Sequence, residues 1–138
     1  MTRLLLRADR LIDGSGGKPL EKGAVLVHGE RILAVGRRED IGTPDGARIV
    51  EAASGATLMP GLADVHVHLA YSGIPHKKAF RSELIEMSYA GIALRAAGYA
   101  KACLAMGFTA LRDMHAPGGT IIDLAASIDR GETQGPRI

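Results

Sequence analysis

His66 and His68 stand one residue apart in the run Leu62-Ala63-Asp64-Val65-His66-Val67-His68-Leu69. In an extended chain successive side chains alternate between faces, so both imidazoles project to one side, with Asp64 on that side two residues earlier. A strand that presents two imidazole nitrogens in this way can offer two ligands to one divalent metal ion. The same spacing also describes an ordinary half-buried strand with exposed histidines. What decides between the two is the set of elements around the pair.

The histidine strand follows Met59-Pro60-Gly61, where the texture of the chain changes. A loop from Ala70 to Lys78 carries Gly73 and Pro75. Phe80, Leu84, Met87, Gly91, Leu94 and Gly98 then recur at helical spacing and predict one long helix over about residues 79–106. The small residues Ala90, Gly91, Ala97 and Gly98 would let it lie close to a sheet, and Gly107 suits the position just past its end. Phe108–Asp113 reads as a second strand. Thr120, with Asp123 three residues on, predicts a capped helix burying Ile121, Leu124, Ala125 and Ile128 and closing at Gly131. Gly135-Pro136-Arg137-Ile138 reads as the entry to a third strand. Strand, helix, strand, helix, strand implies a parallel sheet with right-handed crossovers, and ligands gather at the C-terminal ends of such strands.

Residues 1–58 have a different grammar. Arg3–Ile12, Ala24–His28, Arg31–Gly36, Arg48–Glu51 and Ala56–Leu58 are short β-rich runs, separated by Asp13-Gly14-Ser15-Gly16-Gly17 and similar turn chemistry. Gly29-Glu30 between two of the runs predicts a hairpin. Strands of this length and spacing suggest a small sandwich or half of one.

The chain has 138 residues, with 17 Lys+Arg against 15 Asp+Glu, a net charge of +2. With 46% hydrophobic and 23% charged residues it has the composition of a folded globular chain, not a disordered one. A surplus of two charges with interspersed signs makes no field that would draw a nucleic acid. The N-terminal Leu4-Leu5-Leu6 is too short for a secretory core, and no run approaches the roughly 18 apolar residues of a membrane span. A single cysteine, Cys103, excludes an intrachain disulfide and fits a reducing, cytoplasmic setting.

Met59-Pro60-Gly61-Leu62-Ala63-Asp64-Val65-His66-Val67-His68 resembles the Pro-Gly…Asp-x-His-x-His signature of the metal-dependent amidohydrolase superfamily. Gly107–Asp113 is similar to the superfamily's second barrel strand, Gly135–Ile138 to the opening of its third, and residues 1–58 to its N-terminal β-sandwich segment. Ala63 and Ala110 depart from the pattern only in packing. Within the superfamily the chain looks closest to the imidazolonepropionase-related group that includes Xaa-Pro dipeptidases and arginine or lysine carboxypeptidases.

The resemblance implies an α/β fold: an incomplete (β/α)8 barrel over residues 59–138, with two β/α units and the start of strand three, preceded over residues 1–58 by part of a small β-sandwich domain. It implies His66 and His68 as ligands of a divalent metal, zinc above all, as one or two ions, with Asp64 supporting them. It implies hydrolysis of an amide or related C–N bond, by a dipeptidase or carboxypeptidase, through metal-activated water. A whole (β/α)8 barrel takes about 250 residues. The superfamily's carbamylated lysine, two further histidines and acid–base aspartate belong to later strands, so the chain is expected to be inactive alone. The expected partners are a small-molecule or peptide substrate and either a second copy or a complementing chain, with no nucleic acid and no membrane. A non-catalytic remnant and one half of a split enzyme are the competing readings.

Among the remaining residues, His115 falls at the strand-two end, where substrate would sit, and reads first as an ordinary loop histidine, with substrate contact as the alternative. His76 beside Lys77 and Lys78 reads as a solvated basic patch, Arg112-Asp113 as a structural ion pair, and Glu83 and Glu86 as a solvated face. Cys103, Met59, Met87, Met106 and Met114 read as packing, and His28 as a surface or packing residue.

Overall fold

The computed structural model describes residues 3–73, 75, 82 and 85–138 and divides the chain into two compact units, Met1–Pro60 and Gly61–Ile138. The chain is α/β, with sheets in both units. Among the described residues no helix is long and apolar enough to cross a membrane.

The first unit contains β1 (Arg3–Leu11), β2 (Leu20–His28), β3 (Arg31–Arg37), a single helical turn α1 (Arg38–Ile41), β4 (Arg48–Glu51) and β5 (Thr57–Leu58). They form one five-stranded sheet in the order β3-β2-β1-β4, with β5 also on β1. β1 is its centre. It runs antiparallel to β2 with Leu5 opposite Leu26, and parallel to β4 with Arg7 opposite Glu51. The β2–β3 hairpin turns at Gly29-Glu30, and Gly29 supplies the positive φ of 59° that the tight turn needs. Leu5, Ala8, Leu11, Ala24 and Val25 are buried. β2 crosses Leu11 so closely at Gly23 that a Cβ there would lie 2.1 Å from Leu11 Cβ.

Charged side chains tie the remaining pieces to β1. Arg7 pairs with Glu51 at 3.3 Å and also reaches Thr43 Oγ1; Arg38 pairs with the same Glu51 at 3.2 Å. Asp9 Oδ2 accepts the amide of Gly55 at 2.7 Å. Ile32, Leu33 and Val35 on β3 and Ile49 and Val50 on β4 remain exposed.

The second unit contains β6 (Leu62–Val67), α2 (Tyr89–Ala105), β7 (Phe108–Asp113), a 3-10 turn (Pro117–Gly119) and α3 (Thr120–Asp129). β6 and β7 are parallel. On the other edge of β7, Ala110 bridges in parallel to Arg137, whose amide donates to Thr109 O at 3.0 Å and whose carbonyl accepts from Leu111 N at 2.8 Å. Leu69, Ala96, Ala100, Leu111, Ile121 and Leu124 form the core, with Val67, Cys103 and Ile128 packed at its margin. α2 ends against Gly107, whose φ of 94° suits glycine.

Three local expectations are corrected. The predicted helix over 79–106 is interrupted: residues 82, 85 and 86 are helical, Met87 bends, and Ser88 is extended. There the Ser88 hydroxyl caps the new helix by accepting from Gly91 N at 3.1 Å, a local competitor that apolar periodicity does not register. Phe80, Glu83 and Leu84 lie outside the described residues. Thr120 does not cap α3. Gly118 and Gly119 turn left-handed ahead of it, and Thr120 is the first helical residue, buried, its hydroxyl donating to Pro117 O at 3.0 Å. Met59, Met106 and Met114 are exposed and contribute nothing to a core.

Candidate metal centre

The site lies where β6 and β7 end. His66 is the last residue but one of β6, and His68 follows directly after the strand. Both side chains are exposed on the strand's end, with ring centroids 5.2 Å apart and planes at 75°, edge to face. Pairing of β6 with β7 slips between Asp64 and Val67. Across that slip Asp64 Oδ1 accepts the amide of His66 at 3.0 Å, so a side chain rather than the ladder supports the first histidine.

Beyond His68 the chain turns inward. Leu69 and Ala70 are buried at 4% and 0% exposure, and the amide of Tyr71 donates to His68 O at 3.2 Å. With the two intervening side chains buried, those of His68 and Tyr71 come together: the rings stack at 5.2 Å with 28° between their planes. Tyr71 also faces His115, on the β7 side, at 6.2 Å and 52°. Burial pushes the Tyr71 phenol above its ordinary value, and the negative charge of Asp113 adds to the effect.

Asp113 joins the two strand ends. Its Oδ2 accepts the Leu69 amide at 2.7 Å and its Oδ1 accepts the His115 amide at 3.0 Å, while Met114 N donates to Val67 O at 3.0 Å. Among the described residues no ion pair joins Arg112 to Asp113, which corrects the pair expected from their adjacency. The carboxylate is taken up by two backbone N–H groups, a charge-assisted use stronger than an exposed ion pair. Beside it a cavity of about 230 Å³ is lined by Met114, His115, Ile121 and Ile122.

His66, His68 and His115 thus converge on one end of the unit, whereas His76, Lys77 and Lys78 lie outside the described residues. Sequence reasoning did not assign Tyr71 or Asp113 to the site. The signal for Tyr71 was its place three residues past His68 in a turn; Asp113 offered only the local contact to the His115 amide two residues on, whereas the Leu69 amide lies 44 residues away. Two imidazoles side by side fit part of the donor set that zinc takes, which is three or four side chains. Among the described residues no group of three or more His, Cys, Asp or Glu is placed to hold an ion.

A crystallised prolidase bound to N-methylphosphonate-L-proline superimposes with a TM-score of 0.78 at 31% identity, over 99% of this chain and 31% of the prolidase. A dihydroorotase from Syntrophotalea carbinolica is 38% identical over 80 residues, 58% of this chain and 18% of that protein. An imidazolonepropionase from a Geobacillus species is 41% identical over 58 residues, 39% of this chain and 14% of that protein. No protein-family model matches the chain. An α/β chain with paired histidines at the end of one of its parallel strands, and with these likenesses, resembles the amidohydrolase class. The likenesses support an amidohydrolase superfamily member, corresponding to an N-terminal portion and spanning under a fifth of the dihydroorotase and under a third of the prolidase.

Proposed function

We propose that the chain forms part of a metal-dependent hydrolase of amide or related C–N bonds, with His66 and His68 as two ligands of a divalent ion, zinc being the one their chemistry favours. The observation that carries this reading is the pair itself: two exposed imidazoles 5.2 Å apart at the C-terminal end of a parallel strand. When bound, one or two such ions lower the pKa of a bound water and polarise the scissile carbonyl. The chain's own part is to hold and orient. His66 and His68 donate nitrogen; Asp64 fixes the backbone of His66; His115 stands at the adjacent strand end, where a substrate would lie, beside the cavity formed with Met114 and Ile122. The prolidase likeness supports a dipeptide as substrate class, with a carboxypeptidase-type substrate next to it.

Residues 59–138 are read as the first two β/α units and the opening of the third strand of a (β/α)8 barrel, and residues 1–58 as part of a β-sandwich. Parallel sheets normally have both faces covered. Val65 on β6 is 73% exposed, and β3 and β4 carry five exposed apolar side chains. This favours completion by further strands, continuing in the same protein or supplied by a second copy or a complementing chain, over a self-sufficient remnant. Two histidines fall short of the three side-chain ligands a catalytic zinc takes, so the described residues are read as inactive by themselves. Its one cysteine and low net charge suit the cytoplasm.

The test is a Zn2+ titration of the chain followed by its histidine proton resonances. His66 and His68 are expected to move together and saturate together, and either His66→Ala or His68→Ala removes the response. A parent chain whose two resonances stay still at millimolar Zn2+ would sink the metal reading.

A further inference from the structure

Tyr71 has no part in ligation or in proton transfer as derived above, yet it occupies the centre of the site. Three features converge on it. Its backbone is fixed: Leu69 and Ala70 are buried on the inner side, the Leu69 amide is held by Asp113 at 2.7 Å, and the Tyr71 amide closes a turn on His68 O. Its ring lies nearly parallel to the His68 imidazole at 5.2 Å. It also faces the ring of His115, whose own amide is held by the second oxygen of Asp113. The His68–Tyr71–His115 array is therefore built from both strand ends onto one carboxylate, and His66 meets it edge-on.

An imidazole just past a strand end, exposed to water, rotates about two side-chain bonds. A ligand nitrogen that must be gathered from several rotamers binds an ion more weakly than one already aimed, because the ordering cost falls on the binding step. Groups that contact a ligand histidine without touching the ion are the usual means of removing that cost. An aromatic face stacked on the ring does this through packing and ring electrostatics, with no hydrogen bond needed.

We propose that Tyr71 is a positioning residue for the metal centre: its ring clamps the His68 imidazole in the ligand orientation and spaces it from His115. The proposal rests on the metal reading above. It predicts that a phenyl ring at residue 71 is enough to hold the His68 imidazole.

The experiment uses the whole 138-residue chain with Tyr71→Phe and Tyr71→Leu, and two readouts. In the absence of metal, the ring protons of His68 should show an upfield ring-current shift and a nuclear Overhauser contact to Tyr71. Phe keeps both; Leu moves the His68 resonances toward those of a free imidazole. In a Zn2+ titration, Phe keeps the parent's midpoint, and Leu weakens binding about three- to tenfold. Equal midpoints for Leu and parent overturn the proposal while the metal reading stands. A parent that binds no Zn2+ fells the metal reading, and the proposal with it, even where the Tyr71–His68 contact is present. Should Tyr71→Leu fail to fold, the parent and Tyr71→Phe still decide: no His68–Tyr71 contact in the parent, or a loss of affinity in Phe, refutes it.

Discussion

The two units put their polar groups to opposite uses. In Met1–Pro60, charged side chains are consumed in construction: Arg7 and Arg38 share Glu51, and Asp9 holds the Gly55 amide, so helix α1, β4 and the β4–β5 turn are tied to the central strand. In Gly61–Ile138 the polar groups crowd the end of one sheet. There a single carboxylate, Asp113, holds backbone on both strands, and the imidazoles around it remain exposed. The backbone topologies differ in the same sense. β1, β2 and β3 pair through neighbouring hairpin connections, with pairing extending over eight residue pairs in β1–β2. β6 and β7 are joined by a long crossover, and their ladder slips twice. Side chains with chemical potential stand where main-chain pairing gives out, because an unpaired strand end is where groups can face outward without breaking a ladder.

The comparison breaks most severely at the first unit's core. Leu5, on the central strand, is fully buried, and Leu5→Ala is expected to lower stability by about 3–5 kcal/mol, measured by urea unfolding. Gly23→Ala tests the same packing from the other side. A methyl 2.1 Å from Leu11 Cβ cannot be accommodated without moving β2, at about 3 kcal/mol. A loss under 1 kcal/mol for both would mean that the sheet is not held by this core.

The second unit should be most sensitive at a polar atom. Asp113→Ala strips acceptors from two amides on different segments, and a loss of about 2–3 kcal/mol is expected, with the Leu69 and His115 amide resonances moving upfield. Asp113→Asn keeps one oxygen and should recover about half of that, since its amide nitrogen can only confront the other N–H. By contrast Glu51→Gln in the first unit, where the ion pairs are half-exposed, should cost about 1 kcal/mol or less and be insensitive to position within the sheet. If Glu51→Gln proved the more damaging of the two, the contrast between the units would be reversed.

These sites differ in how far the sequence reveals them. The β2–β3 hairpin follows from two β-rich runs with Gly29-Glu30 between them, because turn chemistry is local. The two histidines share a face by alternation alone, and the Pro-Gly…His-x-His pattern was enough for the superfamily to be read from residues 59–68. What stayed hidden depends on partners far along the chain. Leu69 and Asp113 are 44 residues apart, so a carboxylate beside Arg112 was read as that arginine's partner. The break at Met87–Ser88 was hidden for another reason: apolar residues continue at helical spacing across it, and the capping hydroxyl that wins locally leaves no mark on the period. Thr120 shows the same competition with the opposite outcome, the left-handed Gly118-Gly119 pair displacing a capping hydroxyl.

The gentlest probe compares one exposed carboxylate from each unit. The Ser15 hydroxyl, and then the Ser15 amide, hold Asp13 below its ordinary value of 3.8; the Arg130 guanidinium, donating at 2.9 and 2.8 Å, holds Glu132 below 4.5. Both folded values are depressed, so whatever each contributes is present above the unfolded value and is lost as pH falls through the folded one. Carboxyl titrations followed by NMR should place both midpoints low in the parent. Arg130→Ala should return Glu132 close to its ordinary value, because its main donor is a single side chain. Ser15→Ala should return Asp13 only part of the way, because the residue 15 amide stays in place as a donor. Equal and complete recovery in both variants would show that the first unit's turn, like the second unit's helix end, depends on side chains alone, and the distinction between a backbone-held and a side-chain-held charge would be lost.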